Sequence, residues 1–198
     1  GGMGLVLGAM HTALRQPVAL KLLLPSSLDD KVVVSRFERE ARAAAMLKSE
    51  HVARVLDVGR IPNGSPYMVM ELLEGSDLEQ VVETAGPLPP DVAVNYILQA
   101  CEAIAEAHGH GIIHRDLKPH NLFLARRVDG EANVKVLDFG ISKLPNEEDK
   151  ALTRTTDVMG SPLYMAPEQL RGAREVDPRA DVWALGAILF RLVTGRTP

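Results

Sequence analysis

Between positions 114 and 121 the chain reads His-Arg-Asp-Leu-Lys-Pro-His-Asn, which sets an acid, a lysine and an amide close together. A carboxylate such as Asp116 can accept the proton of a hydroxyl nucleophile. The amide oxygen of Asn121 suits a hard divalent cation. A second acid, Asp138, ends the aliphatic run Val134-Lys135-Val136-Leu137 and opens Asp138-Phe139-Gly140. Lys21 is the one charge inside Pro17–Leu24, a strand-like run. A lysine among aliphatics is costly unless it is paired or lies on an edge strand, so it either meets an anion or marks an edge.

These side chains need a scaffold, and the pattern supplies one. A strand on each side of a tight loop would put Asp116 and Asn121 on one rim. The chain from Arg36 to Lys48 reads as a helix with Phe37, Ala41, Ala44 and Ala45 on one side. It offers Glu38 and Glu40 as partners for Lys21, although either could be a solvated helix charge. Val55–Gly59 and Tyr67–Met70 read as strands around the turn Pro62-Asn63-Gly64. Pro89-Pro90-Asp91 opens a long helix to about Ala107, with Val94, Ile97, Leu98, Cys101, Ile104 and Ala105 as its apolar stripe. From Asp181 to Val193 a helix is apolar nearly all round, which predicts burial. His108, His110 and His114 cluster, but lack the further ligands at defined spacing that zinc requires, and His114 reads as a core histidine.

The catalytic loop and the Asp-Phe-Gly segment, in this order and context, resemble those of the protein-kinase family. Gly1-Gly2-Met3-Gly4-Leu5-Val6 is similar to the last part of the family's glycine-rich loop, and Val18-Ala19-Leu20-Lys21 to the strand with its phosphate-binding lysine. Ala166-Pro167-Glu168 resembles the end of an activation segment, and Asp181-Val182-Trp183 the start of the central helix of the large lobe. Together these motifs run the length of the chain at family-like separations. Asp-Leu-Lys-Pro and Gly160-Ser161-Pro162 resemble serine/threonine kinases rather than tyrosine kinases, with Ser161 where the family more often has threonine. Gly-Gly-Met-Gly and Arg39-Glu40-Ala41-Arg42-Ala43-Ala44-Ala45-Met46-Leu47 look most like bacterial kinases of the eukaryotic type.

The resemblance implies an α+β, two-lobed kinase fold, with a small antiparallel-sheet lobe carrying one helix and a mainly helical large lobe. It places the small lobe at 1–70 without its first strand, a hinge at 71–77, and the large lobe at 78–198 without its last helices. It implies ATP and Mg²⁺ as cofactors and a protein with a Ser/Thr acceptor as substrate. Lys21, held by Glu40, would grip the α- and β-phosphates, and Asn121 and Asp138 would hold Mg²⁺. Asp116 would be the base, and Lys118 would neutralise charge on the γ-phosphate. Gly1, Gly4, Val6, Ala19 and Phe123 would line the nucleotide. Met70 would stand behind the adenine, with backbone groups of Glu71 and Leu73 on its edge and Asp77 on the ribose. For Asp77 a helix N-terminal acid is an equal alternative.

Thr153 and Thr155 are candidate regulatory phosphosites, with Thr156 weaker, and Arg115 could receive a phosphothreonine as a charge-assisted pair. Asp157 could partly stand in for such a phosphate. Asp181 would anchor the catalytic-loop backbone, and Glu168 would pair with an arginine beyond residue 198. A homodimer for phosphorylation in trans is a further implied partner. The alternative reading is a pseudokinase or inactive fragment that binds nucleotide or scaffolds other proteins.

Composition excludes several other classes. Hydrophobic residues make up 46% and charged residues 24%, a globular balance that argues against disorder. A net charge of -4 leaves no basic footprint for nucleic acid or an anionic membrane. One cysteine, Cys101, permits no internal disulfide, which fits a reducing compartment. The kinase resemblance implies a cytoplasmic domain, although the full-length protein could be membrane-anchored outside this segment. The best apolar run, Val182–Phe190, falls far short of the ~20 residues needed to span a bilayer.

Overall fold

The computed structural model describes residues 4–126, 130, 132–139, 162–171 and 176–198. The small lobe is a four-stranded antiparallel sheet of β1 (Gly4–His11), β2 (Gln16–Leu23), β3 (Val55–Arg60) and β4 (Pro66–Glu71), in the order β1-β2-β4-β3. Its register pairs Val6 with Lys21 and Ala19 with Met70. Directly opposed residues of antiparallel strands share a face, so Val6, Ala19, Lys21 and Met70 all point to one side. The β3–β4 turn forms where Gly64 takes φ 86° and Asn63 accepts from the Ser65 amide at 2.9 Å.

Helix α1 (Lys31–Met46) starts earlier than the pattern suggests, because Asp30 caps it by accepting from the amides of Val32 and Val33. Its buried residues are Phe37, Ala41 and Ala43, whereas Ala45 is exposed. Phe37 and Ala41 pack with Leu23 and Met68 of the sheet, but Ala43 and Leu47 belong to the large lobe's core. The last turn of α1 thus joins the two lobes.

The large lobe is built on β5 (Gly75–Asp77), α2 (Leu78–Ala85), α3 (Pro90–Gly109), β6 (Leu122–Arg126), β7 (Ala132–Val136), the short α4 (Pro167–Leu170) and α5 (Arg179–Thr194). Strands β5-β6-β7 form a second antiparallel sheet. Gly75 is required there, because a Cβ on it would lie 2.0 Å from the Leu124 carbonyl oxygen. The chain from Ile112 to Lys118 carries no strand, so only β6 flanks the 114–121 loop, contrary to the paired strands expected. Backbone there is held by side chains instead of by a ladder.

Two helix faces also differ from expectation. On α3 the buried residues are Ala93, Ile97, Ala100, Ala103, Ile104 and Ala107, while Val94 and Leu98 are exposed and Cys101 half-buried. Alanines allow α3 to approach its neighbours closely, so the contact face carries small side chains rather than the most hydrophobic ones. On α5, Ala184, Leu185, Ile188 and Leu192 are buried, but Val182, Trp183 and Phe190 are exposed. One side of α5 is covered by α3 and the Pro162–Tyr164 turn, and the described residues do not cover the other.

Candidate active site

Lys21 leaves β2 toward α1, and its Nζ lies 2.6 Å from Glu40 Oε1 and 2.7 Å from Asp138 Oδ1. Glu38, two residues before Glu40 and so on nearly the opposite side of α1, instead pairs with Arg60 of β3. Burial works against the Lys21 ammonium, but the Glu40 and Asp138 carboxylates outweigh it and raise its pKa above the ordinary lysine value. Lys21 is therefore a fixed cation, sheltered on the Glu40 side, where both side chains are 14% exposed or less. Asp138, at 57% side-chain exposure, faces solvent.

Two site residues occupy left-handed backbone without being glycine, Arg115 at φ 66° and Asp138 at φ 48°. Such residues persist only where their surroundings over-determine them. For Asp138 the anchor is Phe139, 2% exposed, whose ring packs on that of His114 with centroids 4.9 Å apart. His114 is itself fully buried. Its Nε2 donates to the Leu137 carbonyl at 3.0 Å, and its Nδ1 accepts from the Asp116 amide at 3.3 Å. Only the neutral ring can do both. Burial pushes the imidazole pKa below the ordinary histidine value, against the pull of Asp181, the Leu137 carbonyl and the acids at 116 and 138.

For Arg115 the anchor is Asp181, on the first turn of α5 and 1% exposed. Its Oδ2 accepts from the His114 amide at 2.9 Å and its Oδ1 from the Arg115 amide at 2.9 Å. His108 Nε2 completes the cluster, 2.7 Å from Oδ2. A buried carboxylate is costly unless its lone pairs are filled, and here protein N–H groups fill them.

Asn121 is 7% exposed and donates Nδ2 to the Asp116 carbonyl at 2.8 Å. The backbone carbonyl of Asn121 accepts from the Leu137 amide at 2.9 Å, which brings it beside Asp138. Lys118 Nζ lies 3.4 Å from Asp116 Oδ2. The donor set left for a ligand is one amide oxygen and one exposed carboxylate, beside the Lys21 ammonium. Oxygen donors of that kind fit Mg²⁺, and the ammonium fits phosphate.

The remaining candidates are placed as follows. Gly4 lies on β1 opposite Leu23, and a Cβ there would come within 2.7 Å of the Leu22 carbonyl oxygen. Val6 is exposed, Ala19 buried and Met70 half-buried. Glu71 still belongs to β4, and its carboxylate ties the lobes together, accepting from the Arg54 amide at 2.7 Å and Lys135 Nζ at 2.9 Å. Leu73 is half-buried in the connection to β5. Asp77 is the N-cap of α2, accepting from the Gln80 amide at 2.9 Å, so its capping role is present in the structure. Phe123 sits on β6, opposite Asp77 on one side and Lys135 on the other. Glu168 is half-buried in α4. Gly1, Thr153, Thr155, Thr156, Asp157 and Ser161 lie outside the described residues.

Several partners of the site were not legible as motifs. Besides His108, Gln169 hydrogen-bonds the Arg115 carbonyl. Glu106 on α3 accepts from the amides of Lys48 and Ser49, fixing the end of α1 to the large lobe. Glu79 on α2 pairs with Arg191 on α5. Each joins residues far apart in sequence; a charged or amide residue within a helix pattern was the sole signal.

A small sheet lobe carrying a lysine–glutamate pair, joined to a larger lobe carrying a held acid, an amide and a second acid, is a two-lobed kinase-like arrangement. The protein kinase domain model matches residues 1–198, and the chain belongs to the protein kinase family. The serine/threonine-protein kinase pkn3 of Myxococcus xanthus is 43% identical over 200 residues, covering all of this chain and 36% of that protein. PknB of Mycolicibacterium smegmatis, also named a serine/threonine-protein kinase, is 40% identical, with all of this chain and 31% of that protein covered. The chain thus spans about a third of the length of the curated relatives it matches. Among solved structures, the PknI kinase domain of Mycobacterium tuberculosis is similar at TM-score 0.75 and 30% identity, covering 100% of this chain and 72% of that one. Among the described residues no helix is long and apolar enough to cross a membrane.

Proposed function

We propose that this domain transfers the γ-phosphoryl group of ATP to serine or threonine hydroxyls of protein substrates. The observation that carries the reading is the Lys21 ammonium held between Glu40 and Asp138 at 2.6 and 2.7 Å, with Asp116 and Asn121 joined beside them. Magnesium, when bound with the nucleotide, supplies charge neutralisation at the phosphates. Asn121 and Asp138 would hold it, and Lys21 would orient the α- and β-phosphates once Asp138 turns toward the metal. Asp116 accepts the proton of the acceptor hydroxyl as its oxygen bonds to the γ-phosphorus. The bond to the β-phosphate oxygen breaks, and ADP leaves. Lys118, next to Asp116, offsets negative charge on the transferred group. Catalysis is then mainly positioning plus electrostatics.

Val6, Ala19 and Met70 share the Lys21 face, which supports them as an apolar wall for the adenine. Glu71 and Leu73 would offer backbone groups to its edge, and Asp77 the ribose contact. Phosphates on Thr153 and Thr155 would be received by Arg115, which is half-buried at the base of the loop. The test is Asp116→Asn with radiolabelled ATP and a generic protein acceptor. Transfer should fall by a factor of about 10² or more, the scale of general-base catalysis, while Mg-ATP binding is kept. Unchanged transfer would remove Asp116 from its role, and a wild-type protein that binds nucleotide without transfer would favour the pseudokinase alternative.

A further inference from the structure

Arg115 and Asp116 present four backbone groups, of which Asp181 holds the Arg115 N–H, His114 the Asp116 N–H and Asn121 the Asp116 carbonyl. The fourth, the Arg115 carbonyl, is held by a side chain from another segment. Gln169 Nε2 donates to it at 3.0 Å, and Gln169 Oε1 accepts from the Ala166 amide at 3.0 Å. We infer that Gln169 is a positioning residue that sets the orientation of Asp116 relative to the 162–166 segment; this rests on the phosphotransfer reading above.

The geometry makes the role specific. The peptide plane leading into Asp116 consists of the Arg115 carbonyl and the Asp116 amide. Gln169 fixes its oxygen and His114 Nδ1 its N–H, at 3.3 Å. Arg115 stands at φ 66°, so this plane is turned away from where an unheld residue would rest. Rotation of the plane would swing the Asp116 carboxylate. The other end of the same carboxamide grips Ala166, fully buried beside Tyr164 and Met165, which line a small cavity with Asp116. One side chain thus ties the base to the neighbouring segment. Only a group with both a donor and an acceptor can do this. A glutamate keeps the grip on Ala166 but turns an oxygen toward an oxygen at Arg115. A methionine of similar size loses both bonds.

The experiment compares purified wild type, Gln169→Glu and Gln169→Met by steady-state kinetics with Mg-ATP and a protein acceptor. Both variants should lose kcat tenfold or more while the KM for ATP stays within twofold, since neither Lys21 nor Asp138 touches Gln169. If Gln169→Glu fails to fold, Gln169→Met carries the same comparison without the added charge. A residue that merely caps α4 would leave Gln169→Glu at wild-type turnover, and that result overturns the inference. So does a fall in ATP affinity that matches the fall in kcat. Absence of transfer in the wild type would instead sink the phosphotransfer reading itself.

Discussion

Replacing Asp181 with asparagine is the sharpest perturbation of the loop's support. The carboxylate accepts three N–H groups, two at Oδ2 and one at Oδ1, and is 1% exposed. Asparagine keeps one oxygen and replaces the other with an NH₂ group that faces a backbone or imidazole donor. At least one charge-assisted bond, worth roughly 1.5–3 kcal/mol, is lost, and a buried donor is left unpaired at about 1–3 kcal/mol. Partial relief comes from no longer burying a charge. The net expectation is destabilisation by about 3 kcal/mol, a large part of the roughly 5–15 kcal/mol of a typical domain. At about 2–4 °C per kcal/mol for a chain of this size, the melting midpoint should drop by roughly 6–12 °C. Thermal unfolding followed by circular dichroism reads this directly, and the half-exposed Asp177→Asn, where asparagine can still accept from the Arg179 amide and only the charge of the surface pair with the Arg179 guanidinium is lost, serves as the control. A midpoint for Asp181→Asn that coincides with the control would show that the carboxylate does not hold the loop.

Glu40→Gln should lower kcat/KM for ATP about tenfold or more, the scale of a lost charge-assisted bond, because Lys21 is then drawn to Asp138 alone. Glu38→Gln should change it less than twofold, and ATP-dependent steady-state rates distinguish the two; equal effects would remove Glu40 as the partner. His114 predicts an acid-side loss of stability. Its pKa is lowered in the folded protein, so stability is fully present above the ordinary value of 6.5 and is lost as pH falls below it, by up to about 1.4 kcal/mol per unit. Urea midpoints at pH 7.5 and 5.5 should differ accordingly, and His114→Phe should flatten that slope. A slope identical in the variant would contradict the buried neutral ring.

Local chemistry was readable where one segment decides the outcome. The β3–β4 hairpin needs only a turn residue that tolerates positive φ, and Gly64 supplies it between two alternating runs. The choice of Glu40 over Glu38 came from resemblance. The physical reason emerges only in three dimensions: Arg60 waits for Glu38 on β3, and Phe37 and Ala41 turn α1 so that Glu40 faces Lys21. The contact face of α3 was misread because hydrophobicity favours Val94 and Leu98, whereas close helix approach favours the alanines at 93, 100, 103 and 107.

The residues proposed to meet substrate and the residues that hold them obey different rules. Asp116, Asn121 and Asp138 lie within one stretch of about two dozen positions, so their order alone suggests a chemistry. Their supports do not. Asp181 reaches His114 across 67 residues, and Gln169 reaches Arg115 across 54. A supporting group needs only to present a donor or acceptor to a backbone atom, a task that many residue types perform and no local spacing encodes. Strain at Arg115 and Asp138 makes those supports necessary, because a left-handed residue without them would relax and carry the acid with it. The loop's geometry is thus a property of α4, α5 and the His114–Phe139 stack as much as of the loop, which is why changes at Asp181 and Gln169 should register in stability and turnover respectively.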